Sequence, residues 1–257
     1  MKILLTNDDG IDAEGIKVLY KCLKENNEIF VIAPEKEMSG AGSSITTKRP
    51  LSPKKIKENF IAVDGTPVDC VHLGLHELCP FRPDFLISGV NYGANMAEDL
   101  VYSGTVGAAL EAREFSIPSM AVSASAFKQP GSENRKDPNF LSAAKIAQDI
   151  IVRFEKLDIG PHITFNLNVP NLEYEQIKEI KLTTLGSWGA RNPPQKDGGL
   201  KKERFWVSHR TKVPANKESA DITALSRGLV SLTPISPNFL SNDYLKEITS
   251  WLGTFKQ

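Results

Sequence analysis

The sequence predicts a three-layer α/β/α, Rossmann-like fold on a mostly parallel sheet, extended by a hairpin-rich C-terminal excursion and a terminal helix. Three observations carry this. From residue 1 to about 170, short apolar runs alternate with helix-spaced patterns, the rhythm of βαβ units with right-handed crossovers. Polar, glycine-containing clusters mostly follow the apolar runs, where such folds hold their ligands. After about Asn171 the rhythm stops and turn signals take over, which divides the chain into a core over residues 1–170 and a hairpin-rich segment over 171–257.

Each element has its own signal. Ile3-Leu4-Leu5 reads as a buried strand. Ala13 to Lys24 places Ile16, Leu19, Tyr20 and Leu23 on one helical face. Ile29 to Ala33 is a second strand, closed by Pro34, and Ile61-Ala62-Val63 is a candidate third. Pro67 to Leu78 reads as a helix with Thr66 at its N-cap and Pro67 at the first helical position. Asp84 to Ser88 and Ser119 to Ser123 read as buried strands; Thr105 to Phe115 and Asn139 to Phe154 read as helices. Beyond them, Asn192-Pro193-Pro194 and Asp197-Gly198-Gly199 mark turns between candidate strands at Ile177–Thr184, Arg204–Ser208 and Leu229–Thr233. Phe239 to Phe255 reads as a closing helix, with Leu240, Tyr244, Leu245, Ile248, Trp251 and Leu252 on its apolar side.

Bulk properties narrow the function. The 257 residues are 40% apolar and 24% charged, ordinary for a globular chain. Lys plus Arg and Asp plus Glu both number 31, so no global basic field exists to hold a nucleic-acid duplex. Cys22, Cys70 and Cys79 lack C-x-x-C spacing, which points to idle thiols rather than a disulfide framework or thiolate metal site. No apolar run reaches the roughly 18–20 residues of a membrane span. The opening strand runs straight into Asn7-Asp8-Asp9, unlike a secretory leader, so the expected address is the cytoplasm.

Three clusters could carry chemistry. Asp8 and Asp9 directly follow the first strand; adjacent carboxylates repel and resist desolvation unless a cation compensates, and hard divalent cations take such oxygens. The competing reading is one helix-capping Asp beside one solvated Asp. Ser39-Gly40-Ala41-Gly42-Ser43-Ser44 could open backbone N–H groups to an anion and hydroxyls to a metal, or be a surface loop. It is not the P-loop G-x-x-x-x-G-K-[ST], and no G-x-G-x-x-G occurs. The densest cluster runs from Ser88-Gly89-Val90-Asn91-Tyr92-Gly93-Ala94-Asn95 to Tyr102-Ser103-Gly104-Thr105-Val106-Gly107. Its helix start with free N–H groups and hydroxyls suits a phosphate, although Ser103 or Thr105 could also be an ordinary cap. His72 and His76 lie one turn apart but lack the Glu of H-E-x-x-H, so they read as surface or half-buried histidines.

Together these segments resemble the SurE family, the survival-protein-E nucleotidases. The matching pieces are Leu5-Thr6-Asn7-Asp8-Asp9-Gly10-Ile11, Ala33-Pro34 with Ser39-Gly40, Gly65-Thr66-Pro67-Val68-Asp69-Cys70-Val71, Ser88-Gly89-Val90-Asn91, Tyr102-Ser103-Gly104-Thr105-Val106 and Gly228-Leu229-Val230-Ser231-Leu232-Thr233-Pro234. The resemblance implies a metal-dependent 5′-nucleotidase, with 3′-monophosphates and polyphosphate as further substrates. It implies one divalent metal ion, Mg²⁺ or Mn²⁺, held by Asp8, Asp9, Ser39 and Asn91, with Asp8 and Asp9 catalytic. It implies nucleoside monophosphate contacts from Asn95, Ser103, Gly104 and Thr105. It also implies a homodimer or homotetramer in which the late segment and C-terminal helix exchange between subunits. The sequence departs at Glu14, where a proline is often seen, and at Ala97, where a glycine is frequent. Two rivals remain: a haloacid-dehalogenase-type phosphatase, whose D-x-D pattern meets Gly10 here, and a nucleotide-binding sensor without turnover.

Overall fold

The computed structural model describes residues 1–127, 137–154, 156–197, 204–207, 214–237 and 245–252. Its strands are β1 (Lys2–Thr6), β2 (Glu28–Pro34), β3 (Pro53–Lys57), β4 (Phe60–Val63), β5 (Phe85–Tyr92), β6 (Ser119–Ala124), β7 (Thr164–Val169), β8 (Ile180–Leu182), β9 (Gln195–Lys196), β10 (Phe205–Trp206) and β11 (Val230–Ile235). Its α-helices are α1 (Glu14–Leu23), α2 (Pro67–Leu73), α3 (Gly104–Glu111), α4 (Phe140–Phe154), α5 (Asp221–Ser226) and α6 (Leu245–Leu252).

Nine strands form one sheet in the order β3-β4-β2-β1-β5-β6-β7-β11-β8, and β9 pairs with β10 separately. The run from β4 to β7 is parallel throughout. The strands are buried on both faces, and alternate residues serve opposite layers. Ile3, Leu5, Val31, Phe85 and Ile87 pack with Ile16, Leu19 and Leu23 of α1 and Ala143, Ile146 and Ala147 of α4. Leu4, Phe30, Ile32 and Leu86 pack with Cys70 and Val71 of α2 and Val106 and Ala109 of α3. Fully burying each large aliphatic side chain contributes about 1.5–3 kcal/mol. This is the expected three-layer α/β/α arrangement.

The chain builds outward from β1 in one direction through β2 to β4, then returns to the other side of β1 for β5, β6 and β7. Strand order therefore reverses between β1 and β5. Loops leaving the carboxyl ends of these two strands diverge and leave a crevice, the general ligand position in such sheets. Asp8 and Asp9 follow β1, and Asn91 lies at the end of β5.

Several elements differ from expectation. The helix expected over Pro67 to Leu78 is α2 followed by a π-helical turn at Gly74–Leu78. Thr66 caps it in a reciprocal box with Asp69, worth about 1 kcal/mol. The helix expected to Phe115 ends as α at Glu111 and finishes as a 3₁₀ turn. Three strands are additional: β3, whose residues are all exposed, β7, whose buried positions include asparagines, and the short β9. In the late segment, β8 and β11 join the main sheet beyond β7, with β11 antiparallel to β7. Of the expected closing helix, Leu240, Tyr244 and Phe255 lie outside the described residues, as do Gly198, Gly199 and Ser208.

Candidate active site

Asp8 is buried at the carboxyl end of β1, and Asp9 beside it is half-buried. Burial is the main force raising the Asp8 carboxyl above its ordinary value; the Thr105 hydroxyl is the largest force pulling it back. Burial, then repulsion from Asp8, pushes Asp9 up to about 6. Among the described residues the charged side chains acting on both are acids, since Glu37 adds its own repulsion to each.

Helix α3 approaches Asp8 end-on. The Thr105 hydroxyl donates to Asp8 Oδ1 at 2.5 Å. Ser103 is the N-cap, its Oγ accepting from the Val106 N–H at 3.1 Å. At Gly104 a Cβ would stand 2.9 Å from the Asp8 Cβ, so only glycine lets the helix start close onto the acid. The positive end of α3 is thereby aimed at a carboxylate.

Strand β5 delivers the second side. Its register against β6 shifts between Ser88 and Asn91. Gly89 sits there at φ +144, with a would-be Cβ 2.3 Å from the Val122 carbonyl oxygen. A bulge of this kind bends the strand and re-aims the residues beyond it. The Tyr92 N–H consequently donates to Asp9 Oδ2 at 3.1 Å, while the Asn91 side chain donates to the Gly93 carbonyl at 2.8 Å. The serine loop is tied in as well: the Met38 N–H donates to the Asp8 carbonyl at 2.8 Å, and Ser39 Oγ donates to Glu37.

A cavity of about 310 Å³ opens between these elements, lined by Asp8, Ser39, Asn91, Asn95, Ser103 and Arg191 among others. Asp9 lines an adjoining cavity of about 450 Å³ together with Ser39 and Tyr92. Six of the eight positions expected at the site therefore meet around one crevice or its neighbour. The other two stand behind Asp8: Thr105 is fully buried, and Gly104 backs the acid rather than lining the cavity.

Asn95 is held by residues that no sequence motif singles out. Asn168 Oδ1 accepts the Asn95 N–H at 2.8 Å, and Asn168 Nδ2 donates to the Asn95 carbonyl at 2.9 Å. Asn166 Nδ2 donates to the same carbonyl at 2.9 Å, and the Asn95 side chain donates to Ser123 Oγ at 3.0 Å. Two residues on, the Ala97 N–H donates to the buried Asp221 at 2.9 Å. The signal available in sequence was polar residues, Asn166 and Asn168, at alternate positions of an otherwise apolar run.

The donor set fits a hard divalent cation. Its oxygens come from two carboxylates, a serine hydroxyl and an asparagine amide. Among the described residues no group of three or more His, Cys, Asp and Glu side chains is placed to hold a metal, so neutral oxygens would complete the set. Two acids raised by burial, and repelled by a third, have among the described residues no cation acting on them to offset the charge of the ionised pair.

Outside this crevice, His72 Nδ1 hydrogen-bonds with Glu111 at 3.0 Å and lies tilted against His76 with ring centroids 4.6 Å apart, at the surface. Cys22, Cys70 and Cys79 are free; burial pushes Cys79 up to about 11 and Cys70 well above the ordinary thiol range, which leaves these two unreactive. Among the described residues no helix is long and apolar enough to cross a membrane.

Comparison with known proteins matches this architecture. The family model described as "Survival protein SurE" matches residues 3–192. A protein of Pseudomonas putida (strain W619) named 5′-nucleotidase SurE is 39% identical over 253 residues, covering 98% of both chains. One of Pseudomonas entomophila (strain L48) with the same name has the same identity and coverage. The crystal structure of the Sure protein from Aquifex aeolicus superposes with a TM-score of 0.84 at 37% identity, covering 98% of this chain and 100% of that one.

Proposed function

The chain belongs to the survival protein SurE family, and on that premise we propose that it is a divalent-metal-dependent phosphomonoesterase that hydrolyses nucleoside 5′-monophosphates to nucleoside and phosphate. The observation that carries this is the burial of Asp8 and Asp9 side by side at the topological switch point, with their carboxyl groups raised and, among the described residues, no cationic side chain acting on them. Such a pair is costly to keep unless a cation is bound.

Asp8, Asp9, Ser39 and Asn91 would hold one Mg²⁺ or Mn²⁺ ion. When bound, such an ion polarises a phosphoryl oxygen and lowers the pKa of a bound water. The chain's own residues do the rest. Thr105 fixes Asp8 by its 2.5 Å hydrogen bond, and the Tyr92 N–H fixes Asp9, so both carboxylates are oriented before substrate arrives. Asn95 and Ser103 face the same cavity and would take the phosphoryl oxygens, with the positive end of α3 stabilising their charge. The Asn168 clamp fixes the Asn95 backbone, and the bond to Ser123 Oγ orients its side-chain amide as charge develops.

The same pocket would admit 3′-monophosphates and polyphosphate as further substrates. The cytoplasm, which holds both nucleotides and free Mg²⁺, is the address this reading implies. A homodimer or homotetramer is part of it: Ile248 and Leu252 on α6 are exposed in the single chain, which supports a second copy covering them. No nucleic-acid duplex and no membrane is a partner, in keeping with a net charge of zero.

Asp8→Asn tests the reading. It keeps the volume and the Thr105 contact but removes the charge, so turnover of AMP should fall by about a thousandfold or more while the protein still folds. Near-normal turnover would contradict the assignment.

A further inference from the structure

The geometry points to a nucleobase platform formed by Tyr102 and Arg191 at the mouth of the phosphate cavity, which makes these two residues the determinants of preference for nucleotides over base-free phosphate esters. This inference rests on the phosphomonoesterase reading and specifies its substrate class.

Tyr102 immediately precedes Ser103, so its ring stands one residue from the proposed phosphate cradle. It is 53% exposed, unusual for a large aromatic beside a cavity. The Arg191 guanidinium lies over its ring, 4.9 Å from the centroid. Arg191 Nη2 also donates to Asp99 Oδ1 at 2.9 Å. Tyr102, Arg191 and Asp99 all line the same cavity as Asp8, Asn95 and Ser103.

Arg191 reaches this place by a built connection. The segment before it is stitched to the loop between β5 and α3. Ser187 Oγ donates to Glu98 at 2.6 Å, the Trp188 N–H donates to Glu98 at 2.8 Å, and the Trp188 indole N–H donates to the Met96 carbonyl at 3.1 Å. These bonds span about ninety positions of sequence and hold the late segment along one wall. Among the described residues Arg191 is the one cation lining this cavity.

Its chemistry suits a base better than a phosphate. Asp99 already offsets its charge, so its attraction for a phosphate is reduced. What it presents is a flat surface, pre-ordered on an aromatic ring, with further N–H donors at its edge. A planar heteroaromatic ring with acceptors at its edge stacks on such a platform and hydrogen-bonds to its rim. In a nucleotide a ribose joins phosphate and base, and Ser103, Tyr102 and Arg191 line one cavity.

The test compares KM and kcat for AMP and for ribose 5-phosphate, in the Mg²⁺-loaded protein and in Arg191→Ala, Arg191→Lys and Tyr102→Ala, with melting profiles as a check on folding. The unmodified protein should favour AMP through KM, and Arg191→Ala and Tyr102→Ala should each cut that preference about tenfold, the scale of a lost base–aromatic contact. Arg191→Lys should not restore it, because the ammonium keeps the charge and loses the plane. Equal losses on both esters, or a preference untouched by all three variants, would overturn the platform while leaving the phosphomonoesterase intact. Hydrolysis of neither ester by the unmodified protein would instead overturn the reading on which the platform rests.

Discussion

The Thr105 hydroxyl donates to Asp8 Oδ1 at 2.5 Å across 97 positions of sequence, joining the start of α3 to the end of β1. This bond sets the acid's orientation and is the largest force lowering its raised pKa. Thr105→Val keeps the shape and removes the donor. A buried acid that loses a charge-assisted bond costs about 1.5–3 kcal/mol. The variant should melt earlier in the absence of metal, and its turnover with Mg²⁺ should fall about tenfold or more. Unchanged values of both would remove Thr105 from the site.

The Asp9 carboxyl is raised from 3.8 to about 6 by burial and then by Asp8. Its folded value exceeds its unfolded one, so the folded protein holds this proton more tightly. The stabilisation is complete below the unfolded value and is lost as the pH rises through the folded one. In EDTA, the melting temperature of the unmodified protein should therefore fall relative to Asp9→Asn between about pH 4 and about pH 7. Added Mg²⁺ should close the gap for the unmodified protein alone. Parallel curves for the two proteins in EDTA would refute the buried, uncompensated acid.

Asn168→Ala removes two of the three side-chain hydrogen bonds to the Asn95 backbone, keeping that from Asn166, and leaves a part-buried N–H without its acceptor. The expected cost is about 1–3 kcal/mol in stability. Because Asn95 then loses its fixed position, kcat should drop more than KM rises. Loss of stability with full kcat would reduce Asn168 to a structural role.

Ala97 is buried in the left-handed region at φ +50, which costs a residue with a Cβ roughly 1–2 kcal/mol. Glycine relieves that strain but loosens the unfolded chain by about 0.4–1 kcal/mol and forgoes a buried methyl worth about 0.8 kcal/mol. Ala97→Gly should thus unfold in urea within about 0.5 kcal/mol of the unmodified protein, whereas Ala97→Val should lose more than about 2 kcal/mol. The positive φ is the physical reason that glycine suits this position.

Much of the fold was legible because β1, β2 and β5 are largely apolar runs and α1 carries a clean 3.6-residue stripe. Strand β3, Pro-Lys-Lys-Ile-Lys, is exposed at every position and pairs with β4 across a two-residue turn, so it is held by backbone pairing that leaves no apolar pattern in its composition. Strand β7 escaped because Asn166 and Asn168, which grip Asn95, interrupt its apolar character. The acids, Ser39, Asn91, Asn95 and Ser103 could be named from ordered segments matching a family. Arg191 could not, since only the bonds from Ser187 and Trp188 to the distant Met96–Glu98 stretch bring it to the cavity.

The most direct test of the central claim is phosphate release from nucleoside 5′- and 3′-monophosphates by protein stripped with EDTA and then given Mg²⁺ or Mn²⁺. The account predicts no release from the stripped protein, recovery on addition of either ion, and 5′-monophosphates among the substrates cleaved. Folded protein that releases no phosphate with any divalent ion, or that releases it equally well in EDTA, would contradict it.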